Sequence, residues 1–106
     1  VLGTPAKSEL LLSKVYPFPN PFSNGTYFTM FVSDIPANIT ITVYSLMGVK
    51  VVELEHTAIE SFTTIKWDGK SESGSSIANG AYFYHVKAEK EGKSVFEDIY
   101  KLAKVE

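Results

Sequence analysis

The stretch Trp67-Asp-Gly-Lys-Ser-Glu-Ser-Gly-Ser-Ser-Ile-Ala-Asn-Gly-Ala-Tyr-Phe-Tyr84 decides how this chain folds. It reads as the end of one strand, a long polar connection punctuated by three glycines, and the start of another strand. Trp67, the only tryptophan, closes the first strand as a large apolar anchor. Gly69, Gly74 and Gly80 fall where the chain has to turn, and Asn79-Gly80 directly before Ala-Tyr-Phe-Tyr is a turn-then-strand signal. Asp68 is expected to accept hydrogen bonds from the amides of its own loop. The stretch contains no nucleophile with a base, no metal cluster and no phosphate cradle. It reads as scaffold.

Upstream and downstream the same grammar repeats. Residues 1–9 are small and polar, contain a proline and lack any period, as a linker from a preceding domain does; residues 10–106 form the folded unit. Leu10 to Tyr16 is the first expected strand, ended by Pro17. Pro17-Phe-Pro-Asn-Pro-Phe22 then forbids a helix and a paired central strand, leaving a stiff extended crossing from which Phe18 and Phe22 can pack. Thr26 to Ser33 is aromatic and β-branched, hence a strand. Ile39-Thr-Ile-Thr-Val-Tyr44 alternates, which directs Ile39, Ile41 and Val43 inward and Thr40 and Thr42 outward.

Leu46-Met-Gly48 is a tight reversal, and Val49 to Glu55 returns as the hairpin partner. His56 to Ser61 reads as a loop. In Phe62 to Trp67 the alternation places Thr63, Ile65 and Trp67 on one face. Ala81 to Glu89 and Ser94 to Val105 are the last two strands, joined by Lys90-Glu-Gly-Lys93. Seven strands with regular turns and no convincing helix predict an all-β, seven-stranded antiparallel Ig-like β-sandwich.

Composition narrows function. At 106 residues the chain is one domain, long enough for a single core without metal or disulfide support. A formal net charge of -2 gives no electrostatic reason to expect nucleic acid or an anionic membrane as partner. Every basic residue is Lys, so bidentate Arg capture of phosphate or carboxylate does not occur. There is no Cys, hence no disulfide framework, thiolate site or cysteine nucleophile. No apolar run approaches the length of a membrane-spanning helix, and Val1-Leu-Gly-Thr-Pro-Ala-Lys-Ser8 lacks the pattern of a signal peptide. The chain is therefore expected to be a monomeric piece of something larger, with any export signal outside it.

The search for chemistry is negative. No G-x-S-x-G elbow is present. His56 is expected in solvent, and His85 on the outward face of its strand. Asp68, Lys70 and Glu72 echo the alternating ligands of a calcium loop, but a lysine occupies a ligand position and the glycine falls one residue late. Glu89, Glu91, Glu97 and Asp98 lie among Lys87, Lys90, Lys93 and Lys101, the mixture of a solvated hairpin. Tyr82, Phe83, Tyr84, Phe96 and Tyr100 leave two readings: an exposed strip that stacks on sugars or docks a domain, or alternate core and cross-strand members. Asn24-Gly-Thr26 and Asn38-Ile-Thr40 match the N-glycosylation pattern. No enzyme, cofactor or metal is expected.

Several motifs occur in a telling order. Tyr16-Pro-Phe-Pro-Asn-Pro-Phe22, with Pro19, Asn20, Pro21 and Phe22 at its heart, resembles a "YPNPF" opening with one extra residue. Ile39-Thr-Ile-Thr-Val-Tyr-Ser-Leu-Met-Gly48 resembles "V-x-L-x-V-Y-D-x-x-G". Trp67-Asp-Gly-Lys70, Gly74 and Ile77-Ala-Asn-Gly-Ala-Tyr-Phe-Tyr84 resemble "W-D-G-R-D-x-x-G-x-x-V-x-x-G-x-Y-x-Y". Lys101-Leu-Ala-Lys104 resembles a lysine-bounded C-terminus. Over residues 15–105 the chain is similar to the FlgD-type Ig-like domain, a family that overlaps with the C-terminal sorting domain of type IX secretion cargo.

The chain departs from the pattern at Lys70-Ser71 and at Ser45, where Asp is usual. The resemblance implies a sandwich at the end of a larger exported bacterial protein. As a sorting label it would be read by a translocon at the outer membrane and cut off by a sortase within or beside residues 1–9. The cargo would thereby reach the cell surface or the medium. Recognition is then expected at Lys101, Leu102, Ala103 and Lys104. The alternative implied is a FlgD-like accessory module that packs against a neighbouring hydrolase, peptidase or adhesin domain.

Overall fold

Two-residue alternation gives each strand one apolar face, and two such faces close on one another. The computed structural model describes residues 12–106, the side chains of 93–95 excepted. The expected linker and the first two residues of the expected first strand lie outside that range. Seven strands follow in order: β1 (Leu12–Phe18), β2 (Thr26–Val32), β3 (Ala37–Ser45), β4 (Lys50–Ala58), β5 (Phe62–Trp67), β6 (Gly80–Lys90) and β7 (Lys93–Lys104). They form a three-stranded sheet ordered β1-β2-β5 and a four-stranded sheet ordered β4-β3-β6-β7, every ladder antiparallel. The all-β sandwich expected from the turn spacing is the observed fold.

The core sits between the sheets. Phe28, Met30, Val32 and Trp67 enter from the smaller sheet, and Ile39, Ile41, Val43, Tyr84, Val86 and Leu102 from the larger. Its spine is aromatic: Phe22 meets Trp67 at 5.2 Å between ring centroids, Phe28 meets Tyr84 at 4.7 Å, and Tyr84 stacks on Tyr100 at 5.3 Å. Each such side chain contributes about 1.5–3 kcal/mol by leaving water, before the entropy of ordering it is set against that gain.

Three expectations are corrected. Pro17 does not end the first strand, because β1 is an edge strand whose residues pair only with β2, and Pro17 and Phe18 stay in register with Phe28 and Tyr27. Phe18 does not pack from a ribbon; it is 65% exposed on the outer face, whereas Phe22 is buried. His56 and Thr57 are not loop, since β4 keeps pairing with β3 as far as Ala37 opposite Ala58. Thr42 faces outward as expected yet is buried, flanked across the ladders by Glu53 and His85.

The sheet edges are managed individually. A register shift between Ser13 and Tyr16, with Lys14 at φ 52°, breaks the ladder of β1. The long connection after β5 covers part of β4: the Glu72 amide donates to the Val51 carbonyl at 2.9 Å, and the Glu53 amide donates to Glu72 Oε1 at 3.3 Å. The end of β7 is covered by the proline-rich crossing.

Candidate functional site

Pro19 and Pro21 carry no amide hydrogen, so the crossing between β1 and β2 can donate only through the groups left between and after them. It uses them on β7. The Phe22 amide donates to the Ala103 carbonyl at 2.9 Å, the Val105 amide donates to the Phe22 carbonyl at 2.9 Å, and the Ala103 amide donates to Asn20 Oδ1 at 3.0 Å. Phe22 thereby forms a short parallel bridge with Lys104 and drops its ring onto Trp67. Thr26 Oγ1 donates to the Pro19 carbonyl at 2.8 Å and fixes the far side of the turn.

The Trp67–Tyr84 connection meets the same place. Trp67 Nε1 donates to the Lys70 carbonyl at 2.9 Å, and the Lys70 amide donates to Asp68 Oδ1 at 2.9 Å, the Asx turn expected of Asp68. Gly69 and Gly25 cross backbone to backbone: a Cβ at Gly25 would lie 2.5 Å from the Trp67 carbonyl oxygen, and one at Gly69 3.0 Å from the Gly25 nitrogen. Both have φ in the left-handed region, so only glycine serves there. Gly25 was not singled out from sequence; the Asn24-Gly25 turn before a strand was the available signal. Gly74 closes a serine-rich turn, and Gly80 opens β6 opposite Lys104. Tyr82 donates its hydroxyl to the Ala78 carbonyl at 2.6 Å.

Lys104 completes the junction. Its side chain is only 4% exposed, its Nζ donates to the Ile77 carbonyl at 2.8 Å, and Glu106 Oε1 lies 3.6 Å away. Leu102 is buried in the core, while Lys101 is exposed and Ala103 half-buried. Of the four C-terminal positions expected to carry recognition, two therefore point inward. A shallow polar cleft of about 300 Å³ opens here, lined among others by Asn24, Asp68, Lys70, Ser76, Lys104 and Glu106. Gly48 sits in the β3–β4 turn at this same end, where Ser45 pairs with Tyr82 and Tyr82 with Leu102.

The carboxylates of Asp68 and Glu72 serve backbone amides rather than converging on a point. Among the described residues no group of three His, Cys, Asp or Glu is placed to hold a metal ion. His56 is exposed, and His85 is half-buried with Nε2 3.5 Å from Glu97. Burial raises the pKa of Tyr82, Tyr84 and Tyr100, with Tyr100 adding to the effect at Tyr84 and Asp98 at Tyr100, so these phenols stay protonated at neutral pH.

Of the two readings of the aromatics on the last two strands, the structure has the second, with alternate core and cross-strand members. Tyr82 and Tyr84 are core residues, and Phe83, Phe96 and Tyr100 are half-buried. The exposed rings belong instead to the outer face of the small sheet. There Tyr27 and Phe31 alternate with the buried Phe28, Met30 and Val32, a two-residue pattern present in the sequence of β2.

Residues 20–101, which hold most of this junction, match one family, the CHU_C type IX secretion signal domain. The chain belongs to that family. Membership implies export. No curated protein matches the chain. Among solved structures it is similar to the dimeric latent PorU of Porphyromonas gingivalis, with a TM-score of 0.81 and 24% identity over 97% of this chain and 10% of that one. It is also similar to the cell-surface-expressed multi-modular chitinase ChiW of Paenibacillus sp. FPU-7, with a TM-score of 0.65 and 16% identity over 95% of this chain and 9% of that one. PorZ, an essential surface component of the type IX secretion system of Porphyromonas gingivalis, follows with a TM-score of 0.57 and 20% identity, over 88% and 12%. At these identities the likeness is one of fold. The CHU_C chain spans about a tenth of each of these proteins.

Proposed function

We propose that this CHU_C domain is a non-catalytic sorting label of a larger exported protein, read by the type IX translocon at the outer membrane through the end of β7. The observation that carries the reading is the junction itself. Asn20, Phe22 and Ile77, each distant in sequence from the end of β7, all bond to residues 103–105. Lys101 to Lys104 are thus presented as part of a folded object, with Lys101 and Ala103 outward, and a receptor that reads them reads folding at the same time. A sortase would cut within or beside residues 1–9 and release the cargo.

The test is a fusion of residues 1–106 to a reporter in a host with a working type IX system. The reporter is expected at the surface or in the medium; retention in the periplasm would overturn the proposal. A second reading, a structural module packed against a neighbouring catalytic or adhesin domain, is supported by the small share of the similar proteins that the domain spans. It predicts that removing the domain destabilises its neighbour without changing its location.

A further inference from the structure

The outer face of the small sheet carries five exposed rings that the sorting reading does not use. Tyr16, Phe18, Tyr27, Phe31 and Phe62 are each between 40% and 65% exposed. The ladders arrange them in rows: Phe18 beside Tyr27 and Lys66, Tyr16 beside Thr29 and Thr64, and Ser13 beside Phe31 and Phe62. Tyr27 and Phe31 are four residues apart on β2, which separates the outer rows by about 13 Å; three strands make the platform about 10 Å wide. The rings do not collapse onto one another across that distance. Only Phe31 and Phe62, adjacent across the ladder, meet, at 5.1 Å.

Charge on this face is one-sided. Lys14 and Lys66 stand at opposite corners, and among the described residues no Asp or Glu falls on the outward positions of β1, β2 or β5. The bulge in β1 holds Lys14 in a left-handed conformation and sets its Nζ 5.8 Å from the centre of the Phe31 ring. Lys66 forms no ion pair among the described residues. Glu53, Asp68 and Glu72 line the groove that Lys66 borders, but Lys50 lies 3.2 Å from Glu53, Glu72 accepts from the Glu53 amide, and Asp68 accepts from the Lys70 amide. The opposite face of the sandwich is mixed, with Glu53, Glu55, Glu89 and Glu97 outward beside Lys87 and Lys101, in a chain whose net charge is -2.

We infer that this face binds an acidic polysaccharide of the uronate type, independently of the sorting role. Aromatic faces stack on the C–H faces of sugar rings, and hydroxyls at Thr64, Tyr16 and Tyr27 border them. The two ammonium groups supply charge complementarity that a neutral glycan would not need. Two single positive charges without an Arg fork suit one carboxylate per sugar better than densely sulfated or phosphorylated chains. A flat sheet face that combines rings with lysines also differs from the apolar, lysine-poor centre of a protein interface.

The experiment is native affinity electrophoresis of the 106-residue chain in gels containing polygalacturonate, with laminarin gels as the neutral reference. Retardation by polygalacturonate alone is expected. The Lys14→Glu/Lys66→Glu pair should weaken it about tenfold or more, and Tyr16→Thr/Phe62→Thr similarly, because each removes one half of the recognition. Lys50→Glu/Lys87→Glu, an equal charge change on the four-stranded sheet, should stay within about twofold of the unaltered chain. Thermal melts identify any variant that fails to fold, and the remaining pair then decides. Absence of retardation, or equal loss from both charge pairs, overturns the inference. So does sedimentation that shows self-association abolished by Tyr16→Thr/Phe62→Thr without glycan binding, which would assign the face to a second copy.

Discussion

Lys104 Nζ donates a 2.8 Å hydrogen bond to the carbonyl of Ile77, twenty-seven residues earlier, from a side chain almost wholly buried. The bond ties the last strand to the glycine-rich connection. It gives the terminal lysine an architectural role that a surface reading of Lys101-Leu-Ala-Lys104 would miss. Lys104→Ala should cost about 2 kcal/mol in denaturant unfolding, because a half-buried carbonyl loses a charged donor. Glu106→Gln should cost under about 0.5 kcal/mol, since its carboxylate is largely in solvent.

The backbone crossing of Gly25 and Gly69 predicts a graded series. Gly25→Ala places a methyl against the Trp67 carbonyl and should destabilise by more than about 2 kcal/mol. Gly74→Ala has the same sign of φ but open space around it, and should cost about 1 kcal/mol. Chemical denaturation of both variants checks the ranking. Equal losses would mean that conformation alone, not the close approach, sets the cost.

Tyr82 and Tyr84 form a natural comparison two residues apart. The Tyr84 hydroxyl is buried with no hydrogen-bond partner among the described residues, whereas that of Tyr82 bonds to Ala78. Tyr84→Phe should therefore be neutral or stabilising by up to about 1 kcal/mol, and Tyr82→Phe destabilising by about 1 kcal/mol. Thermal melts of the two variants give the sign directly.

Alkaline pH should unfold the domain. Burial raises the folded-state pKa of Tyr84, Tyr82 and Tyr100 above the unfolded value of 10.0. The unfolded chain then releases its phenolic protons first and binds fewer than the native one. The contribution is whole below about pH 10 and is lost as pH rises through the folded-state values. Stability measured by urea unfolding should fall above about pH 10, and Tyr84→Phe should flatten the decline.

Much of this architecture was legible because alternation is a local signal. Ile39-Thr-Ile-Thr-Val and Thr63-Thr-Ile-Lys-Trp each declare which face is buried, and the turns between them are marked by Gly, Asn and Pro. The junction was not legible as a place. Its parts, Asn20 to Phe22, Trp67 to Lys70 and Lys101 to Lys104, were visible as motifs, but nothing in a linear pattern says that a proline ribbon will pair with the far end of the chain. The end of the first strand was misread because Pro17 is tolerated on an edge, and edge status depends on sheet order. An exposed strip on β6 and β7 was one of two readings of those aromatics, and tertiary packing covers them, while Tyr27 and Phe31 on β2 were treated only as strand formers.

The central claim is that the folded end of β7 is what the secretion machinery reads. The direct measurement compares reporter location for the full 106-residue fusion and for one lacking Lys101 to Glu106, in the same type IX-competent host. The account predicts that the full fusion reaches the surface or medium and the truncated one stays in the periplasm; export undiminished by the truncation would contradict it.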